Sequence, residues 1–161
     1  MKKIFIKTFG CSLNQADSET MEGILVEDGF KIIDRETAAD LIIINTCTVK
    51  GPTETAFFKY LDKFSSTKKV LVTGCIPQSI PENLQEISIL GTNQFSKLIV
   101  AVNSTLQGKR VSFLDDSSAK KAIKSAVGTD RLSFPKVRKN SVIDIIPISA
   151  GCLGNCSYYQ R

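Results

Sequence analysis

The sequence predicts an α/β fold: an open parallel sheet flanked by helices. Across residues 1–108, apolar runs of strand length alternate with segments of helical period. Such a succession closes through right-handed crossovers into parallel βαβ units. The run Leu41-Ile42-Ile43-Ile44 is apolar without interruption, the pattern of a strand covered on both faces. With 161 residues, 42% hydrophobic and 23% charged, the chain suits one ordinary globular domain with some residues left over. At that size it needs no disulfide staple.

Taken in order, Ile4–Phe9 reads as a strand and about Gln15 to Asp28 as a helix. Ser12 with Gln15 three residues later fits a capping box, and Met21, Ile24 and Leu25 mark the apolar face before a stop at Gly29. Phe30–Ile33 is a second short strand and Leu41–Ile44 a third. Pro52 sits where a first helical residue would, and Ala56, Phe57, Tyr60, Leu61 and Phe64 follow with helical period. Val70–Val72 and Ile87–Leu90 are the next strands. Phe95, Leu98, Ile99, Val102 and Leu106 line a helix that stops at Gly108, and Val142–Ile148 begins a new strand.

The net charge of +5 is unevenly spread. Residues 109–140 carry nine basic and three acidic groups, a net of +6, while 1–108 sum to −1 and 141–161 to zero. The organisation this predicts is a domain at 1–108, a basic linker or arm at 109–140, and the start of a further domain at 141–161. The arm is either a solvated connector or a segment that contacts nucleic-acid phosphates.

There is no histidine, which removes Ser-His and Cys-His nucleophile pairs, His-ligated zinc hydrolases and a histidine proton shuttle. Five cysteines stand at 11, 47, 75, 152 and 156. The N-terminus lacks the pattern of a signal peptide, and no apolar run approaches the ~20 residues that span a bilayer. A reducing cytoplasm is therefore expected, where clustered cysteines point to metal or redox chemistry.

Cys11, Cys47 and Cys75 each follow a predicted strand, so in a parallel sheet all three open on one edge, where α/β folds place ligands. As small buried hydrophobes they would need no ligand. As a site, three thiolates without histidine fit an iron–sulfur cluster with one iron left open better than a closed zinc site, which takes four protein ligands. Cys152 and Cys156 form a CxxxC that needs further ligands before it can hold anything.

Four segments carry a resemblance. Thr8-Phe9-Gly10-Cys11-Ser12-Leu13-Asn14, Ile44-Asn45-Thr46-Cys47-Thr48-Val49, Thr73-Gly74-Cys75 and Ser149-Ala150-Gly151-Cys152-Leu153-Gly154-Asn155-Cys156-Ser157-Tyr158 resemble, in the same order, the radical S-adenosylmethionine methylthiotransferases. By that resemblance Cys11, Cys47 and Cys75 match the ligands of an auxiliary 4Fe–4S cluster whose open iron carries the sulfur or methylthio group. Cys152 and Cys156 match the first two ligands of a CxxxCxxC motif, whose second 4Fe–4S cluster binds and cleaves S-adenosylmethionine. Asn45 to Glu54 is similar to the archaeal and eukaryotic branch, which adds a methylthio group to C2 of N6-threonylcarbamoyladenosine beside the anticodon of tRNA.

The chain departs from that pattern at the third position of CxxxCxxC, which is Tyr159, a hard phenol where a soft thiolate belongs. The remainder of the radical barrel and the RNA-binding domain are absent from these 161 residues. The resemblance thus implies an N-terminal fragment of a tRNA methylthiotransferase, inactive as an isolated chain. It is expected to hold neither the second cluster nor S-adenosylmethionine, and to bind tRNA weakly at best. A cut inside a cluster motif favours accidental truncation over a split enzyme completed by a complementing chain. The alternatives are an iron–sulfur or metal-binding module that works with a separate partner, and a remnant with unliganded cysteines.

Overall fold

The computed structural model describes residues 1–48, 51–115 and 133–147. Its strands are β1 (Lys3–Thr8), β2 (Lys31–Ile32), β3 (Leu41–Thr46), β4 (Lys69–Gly74), β5 (Ser88–Leu90) and β6 (Ser112–Phe113). They form one sheet in the order β2-β1-β3-β4-β5-β6, and every neighbouring pair is parallel. The helices are α1 (Ser12–Glu27), α2 (Gly51–Ser65), the short α3 (Cys75–Ser79) and α4 (Leu98–Leu106). The expected open parallel sheet with flanking helices is the fold observed.

Alternation along the strands explains the layering. Ile4, Ile6, Leu41, Ile43 and Leu71 point to one face, where Met21 and Leu25 of α1 and Leu98 and Val102 of α4 cover them. Ile42, Ile44, Val70 and Val72 point to the other, against Phe57, Leu61 and Phe64 of α2 and Ile76 of α3. All six residues of β3 are buried because it has a strand on each side and helices on both faces.

Four local features differ from the sequence expectation. Helix α1 begins at Ser12, and its cap is the reciprocal pair Cys11 and Asn14 rather than Ser12 and Gln15. Each side chain meets the other's backbone amide, so the first turn starts at the cysteine itself. A 3₁₀ turn at Phe95–Lys97 precedes α4. The sheet takes one more strand than expected, β6, drawn from the opening of the basic segment and seated beside β5. Finally, Val142–Pro147 is not a strand: among the described residues no strand lies beside it to complete a ladder. Ile148 lies outside the described residues.

Residues 133–139 instead dock on α1. The amide of Val137 donates to the Glu19 carbonyl at 3.0 Å, and the amide of Lys139 to Glu19 Oε1 at 3.1 Å. Lys136 pairs with Glu19 at 3.3 Å and Lys139 with Glu22 at 2.8 Å. Gly23 lies directly under the Pro135 backbone, where any side chain would collide with the carbonyl. Phe134 stacks at a tilt on Phe95, with centroids 5.8 Å apart. This covering segment explains why the polar Glu19 and Glu22 of α1 are buried. Burial pushes the Glu22 carboxyl above its ordinary range, with Lys139 opposing the shift.

Candidate metal centre

The chain leaves β1 toward β2 on one side of the sheet and returns with β3 on the other. The order therefore reverses between β1 and β3, and their carboxyl ends border the crevice where ligands of such folds sit. Cys11 caps the helix that follows β1, Cys47 directly follows β3, and Cys75 is the first residue of α3, directly after β4. These three strands are consecutive neighbours, with β3 in the middle. Adjacent strands lie about 4.8 Å apart. Register adds to this: Thr46 pairs with Gly74, so Cys47 and Cys75 leave the sheet at one level. Thr8 pairs with Asn45, which brings Cys11 out one residue further on. The three sequence-predicted residues thus share one sheet edge.

A buried polar network holds the edge together. Asn14 Oδ1 accepts the backbone N–H and the thiol of Cys11, each at 3.3 Å. Asn14 Nδ2 donates to Asn45 Oδ1 at 3.1 Å and to the Thr46 carbonyl at 3.0 Å. Asn45 Nδ2 returns bonds to the Asn14 carbonyl and to Ser18 Oγ, at 2.8 and 3.0 Å. The hydroxyl of Ser18 meets that of Thr8 at 2.7 Å. On the other flank, Thr46 Oγ1 donates to the Thr73 carbonyl at 2.7 Å and accepts the amide of Ile76 at 3.3 Å. Asn14, Asn45 and Thr46 lie inside the sequence motifs, but the motifs by themselves do not mark them for this role. The available signal was Asn45-Thr46, a polar pair extending a strand that is otherwise apolar on both faces.

Two glycines allow the backbone to close in. Gly10 has φ +153°, and a Cβ there would meet the Asn14 side chain and stand 2.7 Å from Cys47 Cβ. Gly74 has φ +97°, and a Cβ would strike the Thr46 carbonyl. Both hold positions where only a hydrogen leaves room for the cysteine-bearing loops.

The thiols differ in setting: Cys11 is exposed, Cys47 buried and Cys75 between the two. Burial pushes the Cys75 thiol up to about 11, and the proximity of Cys47 and Cys11 adds to the shift. Among the described residues, no three His, Cys, Asp or Glu side chains are gathered tightly enough to hold a metal ion as they stand. The donor chemistry nonetheless fits an iron–sulfur cluster. Three soft sulfurs follow three neighbouring strands at one edge, and glycines clear the approach. A metal held there would displace the thiol protons.

A family model described as "Uncharacterized protein family UPF0004" matches residues 3–91, more than half of the chain. The chain belongs to this family. The UPF0004 match runs from β1 through β5 and includes all three cysteines of the edge. The chain is 40% identical to a mouse protein and to a human one, each named threonylcarbamoyladenosine tRNA methylthiotransferase. It is 31% identical to a Pyrococcus horikoshii protein named probable threonylcarbamoyladenosine tRNA methylthiotransferase. Each comparison covers 98% of this chain. The chain spans 27% of the length of the mouse and human proteins and 36% of the archaeal one.

Cys152, Cys156 and Tyr159 lie outside the described residues. So do Val49 and Lys50 and the central part of the basic segment, residues 116–132. No described helix is long and apolar enough to cross a membrane.

Proposed function

We propose that Cys11, Cys47 and Cys75 hold an iron–sulfur cluster, and that the chain is the cluster-bearing N-terminal part of a tRNA methylthiotransferase acting on C2 of N6-threonylcarbamoyladenosine. One observation carries the reading: the three cysteines follow three neighbouring parallel strands, the first two across the point where the strand order reverses. The names of the eukaryotic and archaeal relatives support the substrate. When bound, the cluster would supply an open iron able to carry sulfur. The protein's share is to present three thiols from one sheet edge and to shield Cys47 from solvent.

In this reading residues 1–108, joined by β6 and by the docked residues 133–139, are the cluster domain, the rest of 109–140 is a basic connector toward tRNA, and 141–161 is the beginning of the radical domain, working in the cytoplasm. Cys152 and Cys156 offer two thiolates to a second 4Fe–4S site, with the Tyr159 phenol at the third position. The 161-residue chain alone is therefore expected to leave S-adenosylmethionine uncleaved, and Tyr159→Cys alone to leave it so. Activity is expected once the radical and RNA-binding portions of the longer relatives are supplied, in the same polypeptide or in trans. The test is anaerobic formation of 5′-deoxyadenosine and methylthiolation of tRNA by the reconstituted chain, alone and with that portion in trans. Turnover by the isolated chain above a protein-free iron–sulfide control would overturn this assignment of parts. Methylthiolation of a nucleoside other than N6-threonylcarbamoyladenosine would overturn the substrate.

A further inference from the structure

Asn14 is 4% exposed, and all the hydrogen-bonding capacity of its side-chain amide is spent on the two cysteine-bearing loops. Its oxygen takes the amide and thiol of Cys11, and the bond from the amide is the one that remains once a metal displaces the thiol proton. Its nitrogen gives one hydrogen to the carbonyl of Thr46, the residue before Cys47, and the other to Asn45, the residue before that. One planar group therefore spans the crevice between the exits of β1 and β3, with its two ends on opposite banks. Asn45 closes the circuit by donating back to the Asn14 carbonyl.

We propose that Asn14 is a positioning residue for the metal centre: its side-chain amide sets the distance and orientation between Cys11 and Cys47. The inference rests on the reading of the three cysteines as ligands and extends it to a residue that donates nothing to the metal. A simple helix cap would need only the oxygen, to accept the Cys11 amide. The nitrogen's bonds to β3 add nothing to capping, and they bind the neighbouring ligand loop. The close approach of Gly10 to the Asn14 side chain and to Cys47 Cβ fits the same purpose, because any Cβ at position 10 would wedge the banks apart. Cys75 is held through a different group of the same residue, the Thr46 hydroxyl, which donates to the Thr73 carbonyl and accepts the Ile76 amide. Loss of Asn14 is thus expected to misplace Cys11 relative to Cys47 while β4 keeps its place.

The experiment is an anaerobic titration with cobalt(II), followed by the sulfur-to-cobalt charge-transfer absorption. It uses the full chain carrying Cys152→Ser and Cys156→Ser, so that only the triad is read. Asn14→Ala is expected to weaken cobalt binding about 10- to 100-fold, the usual effect of losing a group that orients a ligand. Asn14→Ser keeps an oxygen for the Cys11 amide but cannot reach Thr46. It is expected to fold and to show a similar loss. Ile43→Ala, a core truncation away from the edge, serves as the stability control and is expected to bind cobalt as the parent does. If Asn14→Ser binds like the parent, or Ile43→Ala weakens binding as much as Asn14→Ala, Asn14 is a structural cap and the positioning role is overturned. If the parent itself shows no thiolate-to-cobalt absorption, the ligand reading fails and the positioning role falls with it.

Discussion

The hydroxyl of Thr46 donates to the carbonyl of Thr73 at 2.7 Å, tying the last residue of β3, directly before Cys47, to the residue of β4 that lies two before Cys75. The same oxygen accepts the amide of Ile76 in the first turn of α3, so one buried group fixes the level at which Cys47 and Cys75 emerge.

Thr46→Val, close in volume but unable to hydrogen-bond, strands that carbonyl and that amide. Leaving buried partners unsatisfied is expected to cost about 1–3 kcal/mol. Urea denaturation checks the loss as a lowered midpoint with an unchanged slope.

Gly74→Ala is expected to be more disruptive than its size suggests. At φ +97° the new methyl faces the Thr46 carbonyl, so backbone strain and collision add together. The expected cost is about 1–3 kcal/mol or more. Gly29 gives the matched comparison: its φ is +86°, but a Cβ there meets nothing within 4 Å. Gly29→Ala therefore reports the strain alone, and the difference in thermal midpoint between the two variants reports the collision.

The cover of β3 on both faces was legible from the apolar run at 41–44, and the shared edge of Cys11, Cys47 and Cys75 followed from their places after strands. What stayed hidden was long-range. The two residues of β6 have no periodicity of their own and become a strand only because β5 offers an open edge. The burial of Glu19 and Glu22 depends on a segment more than a hundred residues away, which no local pattern in α1 records. Asn14 looks like an ordinary polar residue in a first helical turn until Thr46 is placed beside it.

A pH effect follows from Tyr60, whose hydroxyl donates to Glu36 Oε2 at 2.6 Å. That bond, with Lys63 nearby, holds the Glu36 carboxyl below its ordinary value of 4.5. A carboxylate depressed in the folded state stabilises the fold above its unfolded pKa, and the contribution disappears as pH falls through the folded value. Tyr60→Phe is expected to flatten the loss of stability below about pH 4.5 while lowering stability at neutral pH. Denaturation midpoints between pH 3 and 7 check the slope; an unchanged slope would remove Glu36 from the acid limb.

Nucleic-acid affinity is expected to be weak and salt-sensitive, because the net +6 of residues 109–140 offers phosphate contacts without base readout. Lys136, Arg138 and Lys139 of that segment already pair with Glu19, Asp144 and Glu22, which lowers the charge free for RNA. Filter binding of tRNA at low and moderate salt checks this. Charge-neutral replacement of Lys120, Lys121 and Lys124 is expected to abolish most of the affinity. Binding that survives it would return the segment to a plain connector.

The shared edge of the three cysteines is tested most directly by anaerobic reconstitution with iron and sulfide in the Cys152→Ser, Cys156→Ser background. The parent is expected to turn brown, with iron and acid-labile sulfide in about equal amounts and a broad charge-transfer absorption. Cys11→Ala, Cys47→Ala and Cys75→Ala are each expected to lose most of that iron while remaining folded. A colourless parent, or cysteine variants that keep the parent's iron and absorption, would contradict the claim that these three thiols share one cluster.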